Sequence, residues 1–538
     1  MDRREMSTQG IRQRSSQEQT RGEEETQLFN GETEHLEKIT AHIQWKRDLE
    51  VMKAKVLELI HNQLSDLLDK TMEEAAHSRP QQLSVVPAKK QSREKGQLLK
   101  KKVFVPQRSL VDTLLEVEHF RTIHHIFVAM LCIFVLKQII LDSINEGCLV
   151  LDFELFIIGF RELPTALFAW LCMFLYTLFV PYQALQIWSS CLKMTRFPNL
   201  LTITLVLLML ICHIAVLFFL PIYIVVYSNV GIASRTIVPF EQIRLLMKSY
   251  SFLRESMPPL LHARNQVGDF DLEDHSGNVS PPEFSTYLYF LFCPTLIYRK
   301  SYPRDPYIRW SYVIRKLIEF LACIYILNLL LKYYFIPRFG NMHKQPFNIK
   351  IQLLAIFDLV LPGITILLMI FYFLLDCWQN MFAEILRFAD RCFYKDWWNS
   401  TSFSTFFRSW NAIVHDWLYI YIYQDVLWLI GRRTRAGAML MVFLLSAFFH
   451  EYITTLTFGF FYPVLFVLFA ITGVIFNFVL NDKRKGPFWN IIIWICLSLG
   501  MTVISSLYSQ ELFAQIHCPL KEKTFWGKLI PRSWYCHP

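Results

Sequence analysis

Residues Ala436–Thr457, AGAMLMVFLLSAFFHEYITTLT, form a 22-residue run in which His450 interrupts an otherwise apolar pattern. A helix needs about 20 such residues to cross roughly 30 Å of hydrocarbon. Working outward, comparable runs occur at Thr122–Leu141, Leu163–Ile187, Leu200–Ile224, Trp310–Phe335, Ile351–Trp378, Phe460–Val479 and Phe488–Tyr508. The chain of 538 residues is 53% hydrophobic and 15% aromatic and carries only 18% charged residues, a membrane composition. The sequence therefore predicts an all-α polytopic membrane protein.

Charge sets the expected topology. The net charge of +9 could suggest nucleic acid, but Lys and Arg gather in short connections beside apolar runs, as the positive-inside rule requires. These lie at Lys100–Lys102, at Lys193 and Arg196, through 251–308, at Arg432–Arg435 and at Lys483–Lys485. Eight crossings from a cytosolic N-terminus would leave 251–308 on the wrong side, so Gly231–Tyr250 is expected to make a ninth. Its Glu241, Arg244 and Lys248 must then face protein or a hydrated cavity. With nine spans the tail from Ser509 is lumenal. Its two cysteines, Cys518 and Cys536, are expected to form a disulfide in that oxidising compartment. The other ten cysteines lie mostly in apolar runs and none forms a C-x-x-C pair, which argues against zinc ribbons and thioredoxin-like chemistry.

Before the first span, residues 1–34 are polar and expected to be disordered, with no signal-peptide pattern. Residues 35–75 carry apolar positions at helical spacing from Leu36 to Leu68, an amphipathic helix that either self-associates or lies on a membrane surface. Residues 76–108 read as a linker, 109–512 as the membrane domain and 513–538 as the lumenal tail.

Two constellations carry chemistry. In LLSAFFHEY, Ser446 lies one turn before His450, and an ionisable residue within a spanning helix is costly enough to suggest a function rather than mere packing. A neutral buried imidazole accepts a proton, the property of a general base. The second is FYKDWWN at Phe393–Asn399, followed by WNAIVHDWLYIYIY, where Asn411 and His415 are four apart. An interfacial aromatic belt accounts for the tryptophans but not for the Asn and His.

At these residues the chain resembles the acyl-CoA:cholesterol and diacylglycerol acyltransferase branch of the membrane-bound O-acyltransferases. From about Leu110 onward it is similar to the sterol O-acyltransferases through YLYFLFCPTLIYR, YPRDPYIRW, FADRCFYKDWWNS, FFYPVLFVLF and HCPL. The YLYFLFCPTL wording and the IQWKRDLEVMKAK helix look more like the second, liver and intestinal, isoform. The resemblance implies about nine helices enclosing a catalytic chamber in the endoplasmic-reticulum membrane, and a homodimer or homotetramer. It also implies transfer of a fatty acyl group from acyl-CoA, a co-substrate, to a sterol such as cholesterol, with no metal or other cofactor. His450 falls on the catalytic base, with Asn411 beside it. Phe407, Asn411, His415, Tyr423, Arg435 and Ser446 fall on acyl-CoA contacts, and Phe393, Tyr394, Asp396, Trp397, Trp398 and Asn399 on the family motif. His125 falls where the family has a histidine near bound sterol. Phe406-Phe407 replaces the Tyr-Tyr, and Arg435 the Lys, expected of the first isoform. Diacylglycerol or another lipid alcohol is the rival acceptor. A transporter would want internal repeats, and a di-iron desaturase more clustered histidines than His119, His124 and His125.

Overall fold

The computed structural model describes residues 102–148, 153–267, 280–341, 348–430, 435–473, 486–519 and 529–536. The expected N-terminal disorder and the Leu36–Leu68 helix lie outside these residues. The principal helices are α1 Glu118–Glu146, α2 Leu163–Met194, α3 Pro198–Tyr227, α4 Ile232–Val267, α5 Phe284–Phe292, α6 Trp310–Leu330 and α7 Val360–Ile385. They continue with α8 Phe403–Trp410, α9 Ala412–Trp417, α10 Arg435–Phe458, α11 Val464–Val467 and α12 Pro487–His517. Six of them (α1, α2, α3, α7, α10 and α12) are long and apolar enough to cross a membrane. The segment expected to make the ninth crossing folds as part of α4, and a shorter helix at Ile349–Asp358 precedes α7.

Local chemistry starts several of these helices. Proline stands in the first turn of α2, α3 and α12, where its missing N–H costs nothing. Ser402 caps α8 by accepting a hydrogen bond from the Thr405 N–H at 3.1 Å. Pro181 lies inside α2 and cannot donate to the Thr177 carbonyl one turn earlier. Tyr287 on α5, fully buried, donates its hydroxyl to that carbonyl at 2.5 Å instead.

The charges of α4 turn inward. Glu241 accepts from Arg244 at 2.7–2.8 Å and from the Trp170 indole at 2.8 Å. The Lys248 ammonium, 1% exposed, donates to the carbonyls of Phe290, Leu291 and Cys293 at 2.7, 3.0 and 2.7 Å. Phe290 and Leu291 lie in the last turn of α5 and Cys293 is its C-cap; a helix leaves its last carbonyls without intrahelical donors, so the cation completes the helix end.

A second buried polar cluster joins α6 to α7. The Asp376 carboxylate accepts from Lys316 at 2.5 Å, Ser109 at 3.1 Å, Asn380 at 3.2 Å and the Tyr394 hydroxyl. Lys316 and Asp376 are 1% and 0% exposed, so each needs the other.

The segment before α1 is tied down on α9 and along the α7–α8 connection. Lys102 pairs with Asp416 at 2.6 Å. The Gln107 N–H donates to Ala389 O at 2.9 Å, and the Arg391 N–H to Gln107 O at 3.1 Å. At the other end of the chain Cys518 and Cys536 are disulfide-bonded, with Cα atoms 5.8 Å apart. The buried Glu511 accepts backbone N–H bonds from Arg532 at 2.7 Å and Ser533 at 2.9 Å, holding the returning tail.

Two outcomes test this packing. Tyr287→Phe is expected to lower stability by about 1–3 kcal/mol by leaving a buried carbonyl without a donor, read as a lower melting temperature in detergent. In protein alkylated before lysis, mass spectrometry should find Cys518 and Cys536 unreactive until reduced; two alkylated thiols would contradict the pairing.

Candidate functional site

His450 lies in the third turn from the end of α10. Its ring keeps accessible surface within the spanning helix. The Nδ1–H donates to the Ser446 carbonyl at 2.7 Å, while the Ser446 hydroxyl is 3.5 Å away. A neutral imidazole that donates from Nδ1 carries its lone pair at Nε2. The atom facing away from the backbone is thus the one able to take a proton.

The imidazole stacks on Phe469, with centroids 4.4 Å apart and planes at 21°. Phe469 belongs to the π-helical turn Leu468–Thr472 that continues α11. It also meets Phe407 on α8 at 5.7 Å, and Phe407 meets Phe443 on α10 at 5.8 Å. The Phe469 ring therefore joins His450 to the predicted donor residue Phe407. Its neighbour Phe406 is buried against Trp397 and Trp410, so the Phe406-Phe407 pair supplies apolar packing on both sides of α8.

Asn411 does not share a helical face with His415 in the simple way the spacing predicts. The chain breaks from α8 into extended backbone at Asn411, with φ −134° and ψ 90°, and α9 begins after it. Its Oδ1 accepts from the Val414 N–H at 3.1 Å, making it the N-cap of α9. Since the oxygen is spent on the cap, the Nδ2 amide group is the one left to donate. Two backbone bonds hold this break open. The Ala412 N–H donates to Phe393 O at 2.9 Å and the Lys395 N–H to Ser409 O at 2.8 Å.

The FYKDWWN motif is therefore a clamp on the residues flanking Asn411. Phe393, Tyr394 and Trp397 are buried, whereas Asp396 and Asn399 are exposed. The Tyr394 hydroxyl reaches Asp376 and lies 2.8 Å from the Ser109 hydroxyl. Trp397 packs on Phe371, Trp410 and Trp494 at 4.8–5.6 Å. The Trp398 carbonyl accepts from Asn490 at 2.8 Å and Trp494 at 3.1 Å on α12.

His415, Tyr419 and Tyr423 form a parallel ring ladder, 6.2 and 5.5 Å between successive centroids, on α9 and the π turn after it. That turn packs on α10. The His415 Nδ1 is 3.4 Å from Asp416, which also holds Lys102. Burial pushes the Asp416 carboxyl up, but the His415 hydrogen bond and the Lys102 ammonium outweigh it and keep its pKa below the ordinary value. Arg435 stands exposed at the first residue of α10, about 22 Å along the helix from His450 at 1.5 Å per residue. His125 is exposed on α1 with His124 as ring neighbour at 6.2 Å, and among the described residues its contacts do not reach the His450 cluster.

Sequence reasoning missed the residues that fix His450. Glu451, 5% exposed, accepts from the Phe466 N–H at 3.1 Å and from the Tyr508 hydroxyl at 3.1 and 3.3 Å. Tyr452 donates to Gln242 on α4 at 2.9 Å. An acid beside the histidine in a spanning run was a visible signal, by the same cost argument that singled out His450. Phe469, one of 46 phenylalanines, offered none.

Comparison with known proteins agrees with this arrangement. Residues 159–510 match the model of the membrane-bound O-acyltransferase family, MBOAT. The chain is 48% identical to Sterol O-acyltransferase 2 of Mus musculus over 500 residues, covering 92% of this chain and 93% of the relative. It is likewise 48% identical to Sterol O-acyltransferase 2 of Homo sapiens over 92% of each chain. Against Sterol O-acyltransferase 1 of Mus musculus the identity is 45%, over 81% of this chain and 79% of the relative. With its apolar helices, its histidine within a spanning helix and likeness of this extent, the chain belongs to the membrane-bound O-acyltransferase family, in its sterol O-acyltransferase branch.

Proposed function

We propose that this enzyme esterifies the 3β-hydroxyl of cholesterol or a related sterol with the fatty acyl group of acyl-CoA. The observation that carries the mechanism is the Nδ1–H bond from His450 to the Ser446 carbonyl, which leaves Nε2 as the proton acceptor. In this reading the sterol hydroxyl gives its proton to Nε2 as its oxygen attacks the thioester carbonyl. The new C–O bond forms, the C–S bond breaks, and the departing CoA thiolate takes the proton from the imidazolium. Histidine ends neutral, and no acyl-enzyme is needed. Asn411 Nδ2 donates to the carbonyl oxygen as negative charge develops there.

The donor follows the same elements. Phe407 and Ser446 serve the reacting end, the His415–Tyr419–Tyr423 ladder continues onto the turn that packs on α10, and Arg435, at the start of α10, suits the anionic end of CoA. His125 is kept as a sterol contact on the family resemblance alone. The disulfide in the tail supports a lumenal C-terminus and cytosolic N-terminus in the endoplasmic-reticulum membrane. Self-association as a dimer or tetramer is assigned to the Leu36–Leu68 helix.

Purified protein should show His450→Ala losing about 10²–10⁴-fold in kcat while still binding acyl-CoA. Wild-type turnover in that variant would remove the mechanism. Asn411→Asp is the sharper test of the second residue, because the carboxylate keeps the α9 cap and loses only the amide donor. It should fold as wild type yet fall about 10²–10³-fold in kcat.

The acceptor is tested separately with oleoyl-CoA. A 3β-hydroxysterol should be esterified much faster than its 3α epimer, whose oxygen points away from His450. Equal rates for the epimers, or faster acylation of diacylglycerol than of cholesterol under matched delivery, would overturn the sterol assignment.

A further inference from the structure

The residue next to His450 closes a ring of contacts that returns to His450 itself. Consecutive residues on a helix point about 100° apart. His450 therefore keeps accessible surface while Glu451 faces packed protein. The Glu451 carboxylate accepts the Phe466 N–H at 3.1 Å, and the Tyr508 hydroxyl that donates to Glu451 accepts the Leu465 N–H at 3.3 Å. Leu465 and Phe466 are the second and third residues of α11, whose N–H groups have no partner within the helix. Phe469 follows Phe466 by three residues and lies on the same face, where its ring stacks on the imidazole at 4.4 Å. Tyr508 is set in turn by stacking on Phe458 at 5.5 Å, at the end of the helix that carries His450.

The geometry points to Glu451 and Tyr508 as a positioning pair: by capping α11 from α10 and α12 they fix the Phe469 ring, and through it the plane and reach of the His450 imidazole. This rests on the assignment of His450 as the base. Neither residue touches substrate. The Nδ1–H bond to Ser446 holds one edge of the imidazole and leaves rotation about that edge unrestrained. Phe469 removes that freedom by covering one face, so that Nε2 meets the acceptor oxygen at one angle. The carboxylate contributes geometry, as an acceptor of two hydrogen bonds, and its charge takes no part in the chemistry.

Glutamine keeps an acceptor oxygen for the Phe466 N–H and offers an amide to the Tyr508 oxygen. Glu451→Gln should therefore retain kcat within about 3-fold of wild type, while Glu451→Ala, which leaves both partners unmet, should lose about 10–100-fold, as a misplaced catalytic group does. KM for oleoyl-CoA should stay within about 2-fold in both, and the pH profile of kcat in Glu451→Gln should overlay the wild type, since on this reading the carboxylate does not titrate in the reaction. Phe469→Leu, which keeps apolar volume and removes the flat ring, should reproduce the kcat loss of Glu451→Ala.

Each variant is purified as the full chain, checked by sizing chromatography and by acyl-CoA binding, and compared with His450→Ala. Wild-type kcat in a folded Glu451→Ala would overturn the inference, as would a Glu451→Gln as inactive as the alanine variant or shifted in pH profile. If Glu451→Ala does not fold, Tyr508→Phe and Phe469→Leu decide, and wild-type kcat in both would overturn it. Activity in His450→Ala would instead remove the base assignment beneath the inference. An inactive His450→Ala beside unimpaired Glu451 and Phe469 variants would remove only the positioning role.

Discussion

Inside a bilayer there is no water to satisfy a polar group, so every donor and acceptor at that depth must be met by protein. That constraint organises this molecule more than apolar packing does, because lipid chains compete with leucine and phenylalanine for the same surfaces. The Thr177 carbonyl, stripped of its helical donor by Pro181, fixes α5 against α2 through the Tyr287 hydroxyl. Lys248 fixes α4 against the end of α5, and Asp376 with Lys316 fixes α7 against α6. Each pair has one geometry that works, which makes these contacts the specifying ones. His450 obeys the rule by half: Nδ1 is spent on its own helix, and Nε2 is the nitrogen that bond leaves over.

The clamp around Asn411 shows how a sequence motif can matter without touching a substrate. In FYKDWWN the buried members are Phe393, Tyr394 and Trp397, and the bonds that reach Asn411 come from the motif backbone. Side chains set where that backbone lies: Tyr394 is anchored on Asp376, and Trp397 is wedged among Phe371, Trp410 and Trp494. Preorganisation of this kind keeps a hydrogen-bond donor aimed before the reaction begins. The aromatic density reads as the means of holding an irregular stretch of chain rigid against membrane helices.

How much of this was legible in the sequence follows from what each feature costs. Apolar runs announced the helices because a span has a fixed length, and among the described residues the expected runs fall on helices, the Phe460–Val479 run only from Val464 onward. The inward turn of Glu241, Arg244 and Lys248 was legible for the same reason, since charge in lipid has to be hidden. The wording of FYKDWWN and FHEY gave the family, which the comparisons bear out. Periodicity failed at Asn411, where tertiary bonds from Phe393 and Lys395 override the local helical preference. It also failed at Phe469 and Tyr508, because contacts between distant helices leave no local trace. Glu451 was in plain view, and only its partner across the bundle explains why it is there.

The strap formed by residues 102–109 gives the protein a particular mechanical character. It is bonded to Ala389, Asp390, Arg391 and Tyr394 in the α7–α8 connection and to Asp416 in α9, the helix that Asn411 caps, before the chain enters α1. Tension arriving at Lys102 is thereby delivered beside Asn411 and not to the end of a membrane helix. A pull applied at Lys102 works as on a lever whose short arm rests on the segments that hold the α9 cap at Asn411.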